Sequence, residues 1–163
     1  MFRAFRNIFF GITAFLVFSY SVFKLKNSVP NEAMVDMVTS EGILILKLYN
    51  ETPLHRDNFK KLVESKFYDG IKFHRVIPDF MIQGGNSDND ETTERRDGVE
   101  SYYIPSEVNP NHIHKRGALA MAMNYHNNPE NKSSQYDFYI GIGKTFNNAE
   151  IDATEEEYGY KYP

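Results

Sequence analysis

Neither cysteine nor tryptophan occurs among the 163 residues. Without cysteine there are no disulfides, no zinc–thiolate centre, no thiol catalysis and no lipoprotein-type anchor. Clusters of basic residues are equally scarce. The chain carries 18 Lys and Arg against 22 Asp and Glu, a net charge of −4. Arg3, Arg6, Lys24 and Lys26 fall in residues 1–26, which hold no acid, so the remaining body is more acidic than the whole. Nucleic-acid binding, which needs clustered cations to neutralise phosphates, is excluded on that ground. Heptads, low-complexity tracts and internal repeats are also missing.

What is present favours a folded, strand-rich domain. Hydrophobic residues make up 41% of the chain, with 13 Phe and 11 Tyr. Aromatics at that density suit pleated, half-buried surfaces, and the length suits one domain with a real core.

Residues 1–26 read as a membrane-addressing segment. Ile8 to Phe23 is a nearly unbroken apolar run between two arginines and two lysines. Ser19-Tyr20-Ser21 offers a small-x-small cleavage site. At about 1.5 Å per residue the run reaches about 24 Å as a helix, slightly short of a hydrocarbon core near 30 Å, a gap that lysines can close by snorkelling. A cleaved signal peptide and an uncleaved N-terminal anchor in the inner membrane both stay open. Either one exports the body to a periplasmic or other extracytoplasmic location. Residues 27–32 then form a linker, and the domain is expected over residues 33–163.

Within that body, Ala33–Val38 and Gly42–Tyr49 read as a β-hairpin closed by Thr39-Ser40-Glu41-Gly42, with both faces of its second strand largely covered. Thr52 as N-cap and Pro53 as first helical residue predict a helix, whose apolar stripe is Leu54, Phe59, Leu62 and Val63. Strands are expected at Ile71–Val76, Phe80–Gln83, Tyr102–Pro105, Gly117–Met123 and Phe138–Ile142, and a helix at Glu150–Glu157. The charged stretch Asn86–Ser101 reads as a solvated loop, because Asp88 and Asp90 only begin a calcium pattern. His112 and His114 lack a third ligand fixed by sequence and read as exposed loop residues, so no metal is expected.

The stretch Phe73–Gly85, FHRVIPDFMIQGG, carries the chemistry. It sets one permanent cation, Arg75, a few residues before an apolar pair, Phe80 and Met81, and an amide, Gln83. Such a set grips a small apolar ring beside a polarisable amide.

FHRVIPDFMIQGG closely resembles the signature of the cyclophilin-type peptidyl-prolyl isomerases. TSEGILILKLYNETPLHRDNFKKLVESKFYDGIKF upstream and YYIPSEVNPNHIHKRGALAMA downstream are similar to the same family, so the likeness covers about Met34–Ile142. It implies a mainly β fold, a cyclophilin-like closed antiparallel eight-stranded β-barrel with capping helices. It implies acceleration of rotation about X–Pro bonds in proline-containing polypeptide clients, without a cofactor. By the same resemblance Arg75 is catalytic. Phe80 and Met81 wall the proline pocket, Gln83 positions the substrate backbone, Ala122 offers its main chain, and Tyr139 stands for a phenylalanine on the pocket floor. His74 is expected to be a hydrogen-bonded residue of the barrel. Ordinary core packing would account for Phe80, Met81 or Tyr139 taken singly, and a surface ion pair for Arg75.

Three departures accompany the likeness. A family glutamine is replaced by Asp137 if no gap intervenes, or kept as Gln135 if two residues are inserted; an ionised Asp137 could pair with Arg75. Met123 stands where the family has asparagine. Finally, the family pattern continues with closing strands and a last helix beyond the point where Pro163 falls, so an incomplete barrel is expected. The alternatives to an isomerase are a binding module for proline-containing segments or an inactive fragment.

Overall fold

The structure, a computed structural model, describes residues 22–26, 33–86, 94 and 102–159. Residues 1–21 of the apolar leader, the linker 27–32 and nearly all of the Asn86–Ser101 loop lie outside the described residues. Strand β1 (Val22–Lys26) pairs antiparallel with β2 (Ala33–Thr39), which pairs antiparallel with β3 (Gly42–Leu48). Val22–Lys26, expected at the end of the leader, thus form a sheet strand.

The β2–β3 hairpin follows its local chemistry. Thr39 Oγ1 accepts from the Glu41 N–H at 3.2 Å and donates to the Gly42 carbonyl at 2.9 Å. Gly42 adopts φ 136°, a region that suits glycine. One correction concerns the faces of β3. Leu46 and Leu48 are buried, whereas Ile43 and Ile45 on the other face are 64% and 63% exposed, so only one face is covered.

Helix α1 (Pro53–Glu64) begins at the expected residue, but its cap comes from elsewhere. The Thr52 side chain makes no capping bond. Pro53 has no N–H, so the first free donors are those of Leu54 and His55, and both reach the Glu107 carboxylate, at 3.0 and 2.9 Å. The far end closes as a Schellman turn. Lys66 takes φ 59°, while the Phe67 and Lys66 N–H groups donate to the Leu62 and Val63 carbonyls at 2.9 and 3.0 Å. Phe59, Leu62 and Val63 form the buried stripe, and Leu54 in the first turn is exposed.

The second sheet is built on β8 (Ser133–Gly141). Its C-terminal half pairs with β5 (Met81–Gly84) and its N-terminal half with β6 (Tyr103–Ile104), while β7 (Leu119–Met123) pairs along β8 as well; β4 (Arg75–Ile77) extends the sheet beyond β5. Ile71–His74, expected in a strand, are irregular and only Arg75–Ile77 pair. Among the described residues no ladder joins the two sheets. The fold is therefore mainly β, with antiparallel sheets and, among the described residues, the two helices Pro53–Glu64 and Asn148–Tyr158. Val35, Met37, Leu46 and Leu48 from the first sheet, Phe59, Leu62 and Val63 from α1, and Phe138 and Ile140 from the second share one core. Tyr68, fully buried, donates its hydroxyl to the Tyr136 carbonyl at 3.0 Å, which satisfies a polar group that burial would otherwise penalise.

Helix α2 (Asn148–Tyr158) starts with a reciprocal capping box between Asn147 and Glu150 and ends at Gly159 with φ 71°. Among the described residues no helix is long and apolar enough to cross a membrane.

Candidate functional site

Strand pairing assembles the site. Ile77-Pro78-Asp79-Phe80 is a tight turn closed by the Phe80 N–H on the Ile77 carbonyl at 3.2 Å, and it folds β5 back onto β4. Arg75 then lies opposite Gln83, Gln83 opposite Tyr139, and Tyr139 opposite Ala120. Directly paired residues share a face, so these four form one row across β4, β5, β8 and β7. At about 4.8 Å per strand, Arg75 and Tyr139 stand about 10 Å apart along it. That span accommodates a prolyl residue with its peptide bond.

Arg75 is exposed, and its Nη1 donates to Gln83 Oε1 at 3.2 Å. Phe80 sits at the turn with its ring 58% exposed, while its carbonyl accepts from the Ile142 and Gly143 N–H groups at 2.8 and 3.1 Å. An apolar ring held out on a pinned backbone is a contact surface rather than core. Met81, two residues before Gln83 and on the same face, is 3% exposed and packs beneath. Tyr139 is half-buried, and burial together with the neighbouring Tyr125 pushes its hydroxyl up to about 12. Its hydroxyl lies 2.9 Å from His114 Nδ1.

The remaining expected residues part ways. Ala122 is half-buried at an irregularity in β7 between Met121 and Met123. Gln135, one of two alternatives for a substrate contact, is 2% exposed; its side-chain carbonyl accepts from the Tyr102 N–H at 2.5 Å, and its main-chain carbonyl accepts from Asn58 Nδ2 at 2.7 Å. Those bonds tie β8 to α1 and to the start of β6. Asp137 is half-buried, and instead of reaching Arg75 its Oδ2 accepts from Ser134 Oγ at 3.0 Å. His74 is exposed on the irregular stretch before β4.

His112 and His114 take separate partners. His112 stacks on Tyr49 with ring centroids 4.2 Å apart, whereas His114 meets Tyr139. Among the described residues no group of three His, Asp or Glu is placed to hold a metal ion. Sequence reasoning missed His114 as a neighbour of the site, because nothing local marks a contact 25 residues away.

A second polar chain runs nearby. His55 Nδ1 is 2.6 Å from Glu107 Oε2, and His55 Nε2 is 3.1 Å from Ser133 Oγ, so the start of α1 is bound to β8 through Glu107 and His55. These groups line a cavity of about 630 Å³ between β3, the start of α1, the 106–118 loop and β7. Of the expected site residues only Tyr139 reaches its wall.

Residues 34–160 match the family model described as cyclophilin type peptidyl-prolyl cis-trans isomerase/CLD. The chain is 36% identical over 128 residues to a peptidyl-prolyl cis-trans isomerase of Acinetobacter baylyi, covering 78% of this chain and 62% of that protein. It is 44% identical over 85 residues to a peptidyl-prolyl cis-trans isomerase of Synechococcus elongatus, covering 52% and 54%. With human peptidyl-prolyl cis-trans isomerase-like 1 it shares 39% over 115 residues, covering 68% and 64%. Each of these alignments spans less than two thirds of the relative's length. No solved structure matches the chain.

Proposed function

Since this chain belongs to the cyclophilin-type peptidyl-prolyl cis-trans isomerase family, we propose that it accelerates rotation about X–Pro bonds in proline-containing polypeptides. The observation that carries the reading is the row Arg75–Gln83–Tyr139–Ala120, flanked by the exposed ring of Phe80.

The chemistry needs no covalent step. A peptide bond resists rotation by about 18–20 kcal/mol because the nitrogen lone pair is shared with the carbonyl. For X–Pro bonds the uncatalysed exchange takes roughly tens to hundreds of seconds. Twisting localises the lone pair on nitrogen, so a donor that meets it only in the twisted state lowers the barrier without tightening the planar ground state. Arg75 supplies such a donor: it is always charged and carries N–H groups in a planar fork, one of which is spent on Gln83. Phe80 meets the ring with the buried Met81 as backing, and Gln83 both aims Arg75 and meets the substrate backbone. No proton changes hands, so neither His74 nor a cofactor has a step to perform.

Comparing cis/trans exchange of a short X–Pro peptide with wild type and Arg75→Ala tests this reading. Acceleration that disappears in the variant supports it, and acceleration unchanged in the variant removes it. Peptide binding without any acceleration would instead make the chain a proline-segment binding module.

Two finer points belong to the same reading. The two sheets are halves of a closed barrel, a reading supported by the core they share with α1. The protein acts on clients outside the cytoplasm, directed there by residues 1–21 and retained at the membrane if these are not removed; the apolar run with its flanking cations supports this. Strand β1 starts at Val22, so cleavage after Ser21 would leave the sheet whole. N-terminal sequencing of exported protein decides between a mature start at Val22 and an intact anchor; recovery of all the protein from the cytoplasm would sink the export claim.

A further inference from the structure

We propose that His114 is a positioning residue of the prolyl site, acting through the Tyr139 hydroxyl to fix the floor of the pocket. The inference rests on the isomerase reading above and adds a residue that neither the signature nor the row contains. Tyr139 stands two strands from Arg75 in the row, where a bound prolyl ring would rest on it. A half-buried tyrosine ring at this place is fully fixed only when something also holds its tip. His114 does so: the hydroxyl and Nδ1 are 2.9 Å apart, and the two rings meet edge to face at 82° with centroids 5.6 Å apart.

The Tyr139 hydroxyl, pushed up to about 12, stays protonated across the physiological range. A protonated phenol can both donate and accept, so its contact with Nδ1 forms with either tautomer of the neutral imidazole. In either case the hydroxyl is tied to the 106–118 loop, and the ring is held in one orientation towards the row.

For this to work, His114 itself must be fixed, and the loop that bears it is tied to the end of β8. The Gly117 N–H donates to the Gly141 carbonyl at 2.7 Å, the Gly141 N–H to the Ala118 carbonyl at 2.9 Å, and Arg116 Nη1 to the Ile142 carbonyl at 3.2 Å. The next residue, Gly143, and Ile142 itself donate to the Phe80 carbonyl. One short stretch, Gly141–Gly143, therefore sets both the floor, through His114 and Tyr139, and the wall, through Phe80. Preorganised walls lower the ordering cost of binding and so act on affinity rather than on the twisting step.

Steady-state isomerisation of an X–Pro peptide and calorimetric binding of the same peptide are measured on wild type, His114→Ala, His114→Asn, Tyr139→Phe and the double variant His114→Ala/Tyr139→Phe. His114→Ala is expected to raise KM and Kd about 3- to 10-fold with kcat nearly unchanged. His114→Asn, whose Oδ1 falls near the place of Nδ1, restores them. In the Tyr139→Phe background His114→Ala changes nothing further, because the hydroxyl it acts through is gone. An unchanged KM and Kd in His114→Ala, or the same loss with and without the Tyr139 hydroxyl, overturns the inference. If wild type binds but does not isomerise, Kd alone decides the role of His114 while the enzymatic reading falls. If it does neither, both fall.

Discussion

Arg75 and Gln83 stand directly opposite each other on β4 and β5, and Arg75 Nη1 donates to Gln83 Oε1 at 3.2 Å. The bond uses one of five N–H donors and leaves the fork aimed along the row. Lysine keeps the charge but not the fork, so Arg75→Lys is expected to lower kcat roughly 10²-fold with a smaller change in KM. Gln83→Leu loses both the aim of Arg75 and a substrate contact, and is expected to lower kcat and raise KM together. Steady-state kinetics on an X–Pro peptide separate the two patterns. Equal activity of Arg75→Lys and wild type would show that charge alone suffices.

Glu107 links stability to acid. Burial pushes its carboxyl up, but the N–H donors of Leu54 and His55, with the His55 ring beside it, outweigh burial and hold it below the usual carboxylate range. A carboxyl lowered in the folded state contributes stability above its unfolded value, about 4.3, and loses it as pH falls through the folded value. Glu107→Gln is expected to cost about 1–2 kcal/mol at pH 7, a typical loss for a helix cap. The difference from wild type should shrink from about pH 4 downwards. Urea melts of both proteins at pH 3, 5 and 7 check this; a constant difference across the series would mean that Glu107 caps α1 without titrating.

What sequence made legible was local. FHRVIPDFMIQGG brings its own turn, and Thr52-Pro53 marks the start of α1 to the residue. Contacts closed only by the fold stayed hidden. Thr52 had the composition of a cap, yet Glu107, 53 residues away from Leu54, does the capping. Where Gln135 and Asp137 point depends on the way β8 crosses the core. Gln135 is sealed beneath Tyr102 and Asn58, and Asp137 turns to Ser134. Val22–Lys26 looked like the flank of an apolar leader because its pairing partner, β2, cannot be read from its own residues. His114 does lie exposed in a loop, but its contact with Tyr139 stayed hidden for the same reason.

Gly85 is required by a close approach of backbones. A Cβ built there would sit 2.0 Å from the Tyr136 carbonyl oxygen and 2.9 Å from Asp137 Cα, and φ is 101°. Both obstacles are main chain of the central strand, so no side chain can swing aside. Gly85→Ala is expected to destabilise by about 3–4 kcal/mol, combining overpacking with a disfavoured φ. At Gly84 the nearest atoms are the rings of Phe138 and Phe73 at 3.3 Å, side chains rather than main chain and at a distance that calls for a shift of only a few tenths of an ångström. Gly84→Ala should therefore cost only about 1 kcal/mol. Urea denaturation of the pair checks the order; equal losses would contradict the approach of Gly85 to β8.

The turn that carries Phe80 gives a test of geometry rather than charge. Pro78 fixes φ near −65° at the second position, and Asp79 takes φ 57° at the third, the combination of a type II turn. That third position favours glycine, and an L-residue there costs about 1–2 kcal/mol, partly relieved for Asp and Asn, whose short polar side chains tolerate the left-handed region. Asp79→Ala, which lacks that relief, is expected to destabilise by about 1 kcal/mol. Asp79→Gly removes the steric cost but adds freedom to the unfolded chain, leaving a net gain of about 0.5 kcal/mol. Asp79→Asn keeps the conformational tolerance without the charge and should match wild type. Thermal melts of the three variants at pH 7 give the order Gly, then wild type and Asn together, then Ala. Because the same turn presents the Phe80 ring to the row, KM for an X–Pro peptide should rise most in Asp79→Ala, where the turn is least secure. If Asp79→Asn shifted stability as much as Asp79→Ala, the carboxylate rather than the backbone conformation would be what holds the turn.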